Sequence, residues 1–311
     1  MPFPTLRQRL LFLFFTLLTT HGLSAFSQEE GGRIGLPAEP QSIRFRWLAE
    51  GTLKHSALLL PIRLPNCSET FYLQFDLGAP ATLFYREAVQ GILVRYPAAL
   101  DTAGGRLSLR DARLDRSAFS VEGAALRNYA GSGINWKKRI RIIGTAGSDL
   151  LSGRAVLLDF PAQRLKLNVD STVTGATPVH PLLYLQGRIL LPARIGGQQK
   201  LLVYDSGSSA FSLLTDSASA VKMARPGAAD QQHASRSWDV TLTAHSFASS
   251  DSIGLGGKML PLRQVSYISG TSEAQVQSMA RFGIGGMAGN VLFLKQRLYL
   301  DLKRKKFTLL P

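Results

Sequence analysis

Short apolar runs broken by Gly, Pro and Asp recur along the chain, and few of them keep a helical period. FYLQF (71–75) and LLVY (201–204) are aromatic and aliphatic, are bounded by turn formers, and predict strands. AVLLDFPAQRLKL (155–167) reads as a hairpin turning at Pro161-Ala162-Gln163, and RLYLDLKRKKFTLL (297–310) as a second one turning near Lys303-Arg304-Lys305. Arg106 to Leu109 and Phe119 to Val121 alternate, which places another hairpin within about residues 100–135. Helical signals are short. Leu150-Leu151 and Val291-Leu292-Phe293 follow Gly-rich turns, and Ser217 to Val221 and Ser272 to Arg281 are local helical stretches. Residues 224–237 lack apolar periodicity and read as a loop.

The pattern occurs twice. Leu58-Leu-Leu-Pro-Ile-Arg-Leu64 followed by TFYLQFDLGAPATLFY (70–85) is echoed by Ile189-Leu-Leu-Pro-Ala-Arg-Ile195 followed by KLLVYDSGSSAFSLL (200–214). A second block, 142–167, is echoed at 284–310, with Gly144 on Gly286, Gly147 on Gly289 and Asp159 on Asp301 at one constant offset. Two blocks repeated in the same order predict two β repeats, 41–175 and 176–311, preceded by a flexible leader at 26–40.

Composition narrows the class. Hydrophobic residues make up 45% of the 311 positions and charged residues 18%, which excludes a chain too polar to fold. The single cysteine, Cys67, excludes an internal disulfide framework and multi-cysteine metal motifs. Asn66-Cys67-Ser68 fits a glycosylation sequon. Arg7 and Arg9, the apolar run Leu10 to Leu18 and the small residues Leu23-Ser24-Ala25 have the form of a secretory signal over residues 1–25. No later run is long enough to span a membrane, so export to a periplasmic or extracellular setting is expected. The net charge of +15 suits an anionic envelope surface or acidic substrates. The KRKK run at 303–306 sits at a hairpin turn, where it reads as a solvated tip rather than a nucleic-acid site.

The chemistry centres on two aspartates. Asp76 and Asp205 each end an apolar strand and open a turn of small residues, Leu77-Gly78-Ala79 and Ser206-Gly207-Ser208. In a duplicated protein a pseudo-twofold relation can bring such residues together. Two adjacent carboxyl groups cannot both ionise easily, so they share a proton. One then acts as a base on water and the other as an acid toward a carbonyl oxygen. Ser208 can donate to Asp205, whereas Ala79 has no donor for Asp76. Asp205 is therefore expected to be the more acidic partner, with the shared proton on Asp76.

These residues resemble the pepsin/retropepsin superfamily of aspartic peptidases. DSGS at 205–208 matches its Asp-Thr/Ser-Gly-Ala/Ser/Thr signature. Ile142-Ile143-Gly144 matches the later apolar-apolar-Gly turn that crosses beneath the signature, and Ile284-Gly285-Gly286 is a looser counterpart. The resemblance covers most of the chain after the leader. It implies an all-β, bilobal acid-protease-like fold with a few short helices and a cleft between the lobes. It also implies Asp76 and Asp205 as a catalytic dyad, an extended peptide or protein substrate under a covering hairpin, no cofactor and no metal, and a monomer. The departure is Leu77, which stands where the family has a hydroxyl that bonds across the lobe junction. Two readings follow: an exported aspartic endopeptidase, or an inactive module of the same fold that binds peptides or envelope polymers. A third, plainer one has the aspartates merely closing turns.

Other motifs carry less. His55, His180, His233 and His245 are scattered, with no zinc-ligand spacing. GxSxG is absent. The segment Gly283 to Ala288 imitates a dinucleotide fingerprint but duplicates 142–149, and so reads as the repeated crossing turn. Asp159 and Asp301 lie beside hairpin turns and are expected to brace them.

Overall fold

The computed structural model describes residues 31–237 and 240–310, so the expected signal over 1–25 and the start of the expected leader lie outside the described residues. The fold is mostly β, in several sheets, with three short α-helices among the described residues. No helix described is long and apolar enough to cross a membrane.

Each repeat builds the same unit. In the first, Leu53–Arg63 pairs antiparallel with Thr70–Phe75, which pairs parallel with Ile142–Ala146. In the second, Arg188–Ile195 pairs with Gln198–Tyr204, which pairs parallel with Ile284–Ala288. The segments expected as crossing turns are therefore strands, each with a register irregularity at its start. Their glycines permit close approach. A Cβ on Gly144 would collide with the Leu83 carbonyl, and one on Gly286 would lie 2.6 Å from the Leu214 carbonyl oxygen.

A six-stranded sheet takes strands from both repeats, in the order His180–Pro181, Lys306–Leu310, Arg297–Asp301, Ala155–Asp159, Arg164–Leu167, Gln41–Arg44. At its centre Leu157 faces Tyr299, flanked by Ala155 opposite Asp301 and Asp159 opposite Arg297. Leu157 and Tyr299 are equivalent positions of the duplication, so the pairing is symmetric about them. Both expected hairpins are present. Asp159 and Asp301 brace their turns by accepting from the N–H groups of Ala162 (3.0 Å) and Arg304 (2.7 Å). The main core cluster runs through both repeats, from Phe45, Leu60 and Phe75 to Leu191, Tyr204 and Phe293.

Three segments differ from the sequence reading. Gln231–Ser237, expected as loop, is a strand paired with Val240–Ala248. Its residues are polar and its first four positions are mostly exposed, so no apolar alternation marks it. Within the leader, Arg33–Gly35 pairs with Ser117–Arg127, and Ile34 packs against the core. Arg86–Arg95 is an α-helix burying Ala88, Val89 and Ile92. The helices expected near 217 and 272 run from Ser217–Met223 and Glu273–Arg281, and the single turns at Ser148–Leu151 and Asn290–Phe293 are 3-10.

Candidate active site

Asp76 and Asp205 leave their strands in the same way. The Asp76 N–H donates to the Ala146 carbonyl at 3.0 Å and the Asp205 N–H to the equivalent Ala288 carbonyl at 2.9 Å. Each strand end is thus clamped by the parallel strand beside it. Each carboxylate then turns back on its own loop, Asp76 Oδ1 accepting from the Gly78 N–H at 2.9 Å and Asp205 Oδ1 from the Gly207 N–H at 2.8 Å.

The two loops meet face to face. A Cβ placed on Gly78 would stand 2.6 Å from Asp205 Oδ1, and one on Gly207 would strike the Asp76 carboxyl group in the same way. Glycine is needed at both positions because the opposing carboxyl group occupies the space. The two carboxyl groups are near enough for each to act on the other's charge.

Electrostatics separate them. Burial pushes the Asp76 carboxyl up to about 7, helped by the Asp205 charge; the Arg188 guanidinium and the Gly78 N–H pull the other way. Asp205 accepts an additional hydrogen bond on Oδ2, from Ser208 Oγ at 3.0 Å. Ala79, the equivalent residue, is buried and offers only its backbone N–H, which bonds the Asp76 carbonyl. Asp205 thus accepts two hydrogen bonds from its own loop and Asp76 one.

The junction is locked from one side. Ser206 Oγ accepts from the Leu77 N–H and donates to the Phe75 carbonyl, both at 2.9 Å. Leu77 returns no such bond. It is fully buried and packs into the main core. The second loop is instead tied down by Asn290, whose amide donates to the Ser206 carbonyl (3.1 Å) and to Ser209 Oγ (3.0 Å) while its oxygen accepts from the Tyr204 hydroxyl (2.8 Å). The first loop is tied by Asp149, which accepts from the Thr82 N–H and hydroxyl, both at 2.7 Å. Thr82 Oγ1 in turn accepts from the Gly147 N–H.

All the dyad-loop residues read from the sequence come together here. Gly144 and Ile143 lie in the strand behind Asp76, and Gly285 and Gly286 in the strand behind Asp205. The sequence reading missed Arg188, Asn290, Asp149 and Thr82. Arg188 is the most consequential. Its guanidinium donates to the Gly78 carbonyl and lies close enough to feel both carboxylates, while burial pulls its own pKa down. The signal for it is a mismatch between the repeats, since Ala57 occupies the equivalent position before the first Leu-Leu-Pro run.

Chemically, the site sets two carboxyl groups together beside the Arg188 guanidinium, with the pKa of Asp76 raised to about 7. No protein-family model matches the chain, and no curated protein matches it.

Proposed function

We propose that the chain is an aspartic peptidase of pepsin/retropepsin character, its two repeats forming two lobes around a substrate cleft. The observation that carries this reading is the reciprocal packing of Gly78 on Asp205 and Gly207 on Asp76, which brings the two carboxyl groups to one place; one proton is then shared between them. Asp205, ionised, takes a proton from a water as it attacks the scissile carbonyl carbon. Asp76 gives its proton to the carbonyl oxygen, so the tetrahedral intermediate forms as a neutral diol. Return of protons through the same pair to the leaving nitrogen breaks the C–N bond. No cofactor is required by this sequence of steps.

The peptide would lie extended, paired with strand edges. The covering role is assigned to the hairpin of Asp101–Ala103 and Arg106–Leu114, within the region 100–135 where it is expected, because no atom beyond the chain neighbours lies within 4 Å of a Cβ at its tip, Gly104-Gly105. The other turn in this region, at Asp115, is anchored to the Pro61 carbonyl and so is fixed to the body of the sheet. The N-terminal pattern adds export to the proposal.

A second reading, an inactive peptide-binding module, is favoured by Leu77, which leaves the junction with one hydroxyl in place of two. Calorimetry with a peptide carrying a secondary alcohol in place of the scissile amide separates the two. An enzyme binds this mimic at least about a hundredfold more tightly than the matching amide peptide, and Asp205→Asn removes the difference. Equal affinity for mimic and amide would leave only the binding module.

A further inference from the structure

A second cluster of reactive groups lies on the three-stranded sheet of Gln231–Ser237, Val240–Ala248 and Gln264–Ile268. His245 pairs with Gln232 on one side and with Tyr267 on the other. Its Nδ1 lies 2.7 Å from Asp230 Oδ2, and its Nε2 lies 2.7 Å from Ser269 Oγ. The three groups come from the residue before one strand, the middle of the next and the residue after the third.

Each group is held in place. Gln232 Nε2 donates to Asp230 Oδ2 at 3.1 Å. Tyr267 stacks on the His245 ring at 4.6 Å between centroids and 2° between planes, which fixes the plane of the imidazole. The Ser269 N–H donates to the Thr243 carbonyl at 2.9 Å, pinning the backbone under the hydroxyl. The His245 hydrogen bond holds the Asp230 carboxyl below its usual range, so it faces the ring as a carboxylate. A carboxylate can only accept, so in the neutral ring the proton belongs on Nδ1 and the Nε2 lone pair faces the Ser269 hydroxyl.

Ser269 also sits on a strand-to-helix turn. The strand ends at Ile268, Gly270 follows with φ of 82°, and the helix begins at Glu273. In hydrolases with a nucleophile elbow, a strand-to-helix turn exposes the serine hydroxyl and lets the next backbone N–H serve the developing oxyanion. Ser269 is exposed and the His245 side chain retains 14% of its exposure, so a carbonyl group can reach both.

We propose that Ser269, His245 and Asp230 form a second site, a serine-nucleophile acyl-transfer centre acting on small acyl esters. Ser269 is the nucleophile, His245 the general base and Asp230 a positioning residue. The Ser269 proton passes to His245 Nε2 as the Oγ–C bond forms. The C–O bond to the leaving alcohol then breaks, and the alcohol departs with that proton. Water, deprotonated by the same nitrogen, attacks the acyl carbonyl; the C–Oγ bond breaks, the acid leaves, and the proton on Nε2 returns to Ser269 Oγ. Esters are favoured over amides because the open surface offers little binding energy and an alcohol leaves more readily than an amine.

The test is labelling of the full exported chain with a fluorophosphonate, read by intact mass and peptide mapping, together with hydrolysis of 4-nitrophenyl acetate. The wild type is expected to be labelled at Ser269 and Ser269→Ala to lose both label and ester hydrolysis. His245→Gln is expected to slow both at least about a hundredfold, the usual worth of a general base. Asp230→Glu is expected to recover part of the rate lost in Asp230→Ala, which a merely structural contact would not produce. Melting curves show that each variant is folded. Absence of label at Ser269 in the wild type, or equal rates in wild type and folded His245→Gln, would overturn the assignment.

Discussion

Ser206 reaches across 129 positions of sequence to accept the Leu77 N–H at 2.9 Å, and Leu77 has no polar side-chain atom with which to answer. One hydroxyl therefore bridges the two aspartate loops and also holds the Phe75 carbonyl, while Arg188 adds a bond to the Gly78 carbonyl. Symmetry in the backbone has been kept while symmetry in the side-chain bonding has been lost.

Removing that hydroxyl strands both partners in a buried place. Ser206→Ala is expected to lower stability by about 1–3 kcal/mol, and Ser206→Thr, which keeps the hydroxyl, by much less. Urea unfolding of the three proteins, with the slope checked for constancy, measures this.

The glycines facing the carboxyl groups tolerate no side chain. Gly207→Ala puts a methyl against Asp76, and Gly78→Ala puts one against Asp205. Each is expected to cost about 1–3 kcal/mol from overpacking and to reduce peptide cleavage, because relief requires the carboxyl groups to move apart. Gly104→Ala, where a Cβ meets open space, tests the contrast. Its left-handed φ of 57° makes that substitution strained, but it should leave the carboxyl pair in register.

Arg188 sets the charge balance of the pair. Its guanidinium favours the ionised form of Asp76. Arg188→Gln removes that charge, so Asp76 keeps its proton to a higher pH. The alkaline limb of the cleavage profile is expected to move up by about one pH unit. A profile that moves down, or stays in place with only a lower maximum, would contradict the assigned role.

Asp76 also links stability to pH. Its folded value of about 7 exceeds the ordinary 3.8, so the folded state holds this proton more tightly than the unfolded chain. The resulting stability is fully present below about pH 4 and is lost as pH rises through about 7. The wild type is expected to melt at progressively lower temperature across this window, and Asp76→Asn to flatten that part of the curve. Melting scans from pH 4 to 8 on both proteins give the comparison.

What the sequence made legible was whatever occurs twice. The two Leu-Leu-Pro runs, the two aspartate turns, the two hairpins and the bracing roles of Asp159 and Asp301 all stand out by repetition. Features that break the repetition were hidden. Asn290 stands where the first repeat has Ser148, and Arg188 where it has Ala57, so each loop is secured by different chemistry. The strand Gln231–Ser237 was hidden for another reason, since its sequence QQHASRS carries no apolar alternation. The Asp230–His245–Ser269 cluster depends on strand register, which sequence spacing does not encode.

The central claim is that Asp76 and Asp205 act as one catalytic unit. The most direct measurement is hydrolysis of a mixed peptide library by the wild type, Asp76→Asn and Asp205→Asn, followed by mass spectrometry over a range of pH. The account predicts cleavage by the wild type that declines as pH rises through about 7, and loss of cleavage in both variants. Equal cleavage by all three proteins, or none by a folded wild type at any pH, would contradict it.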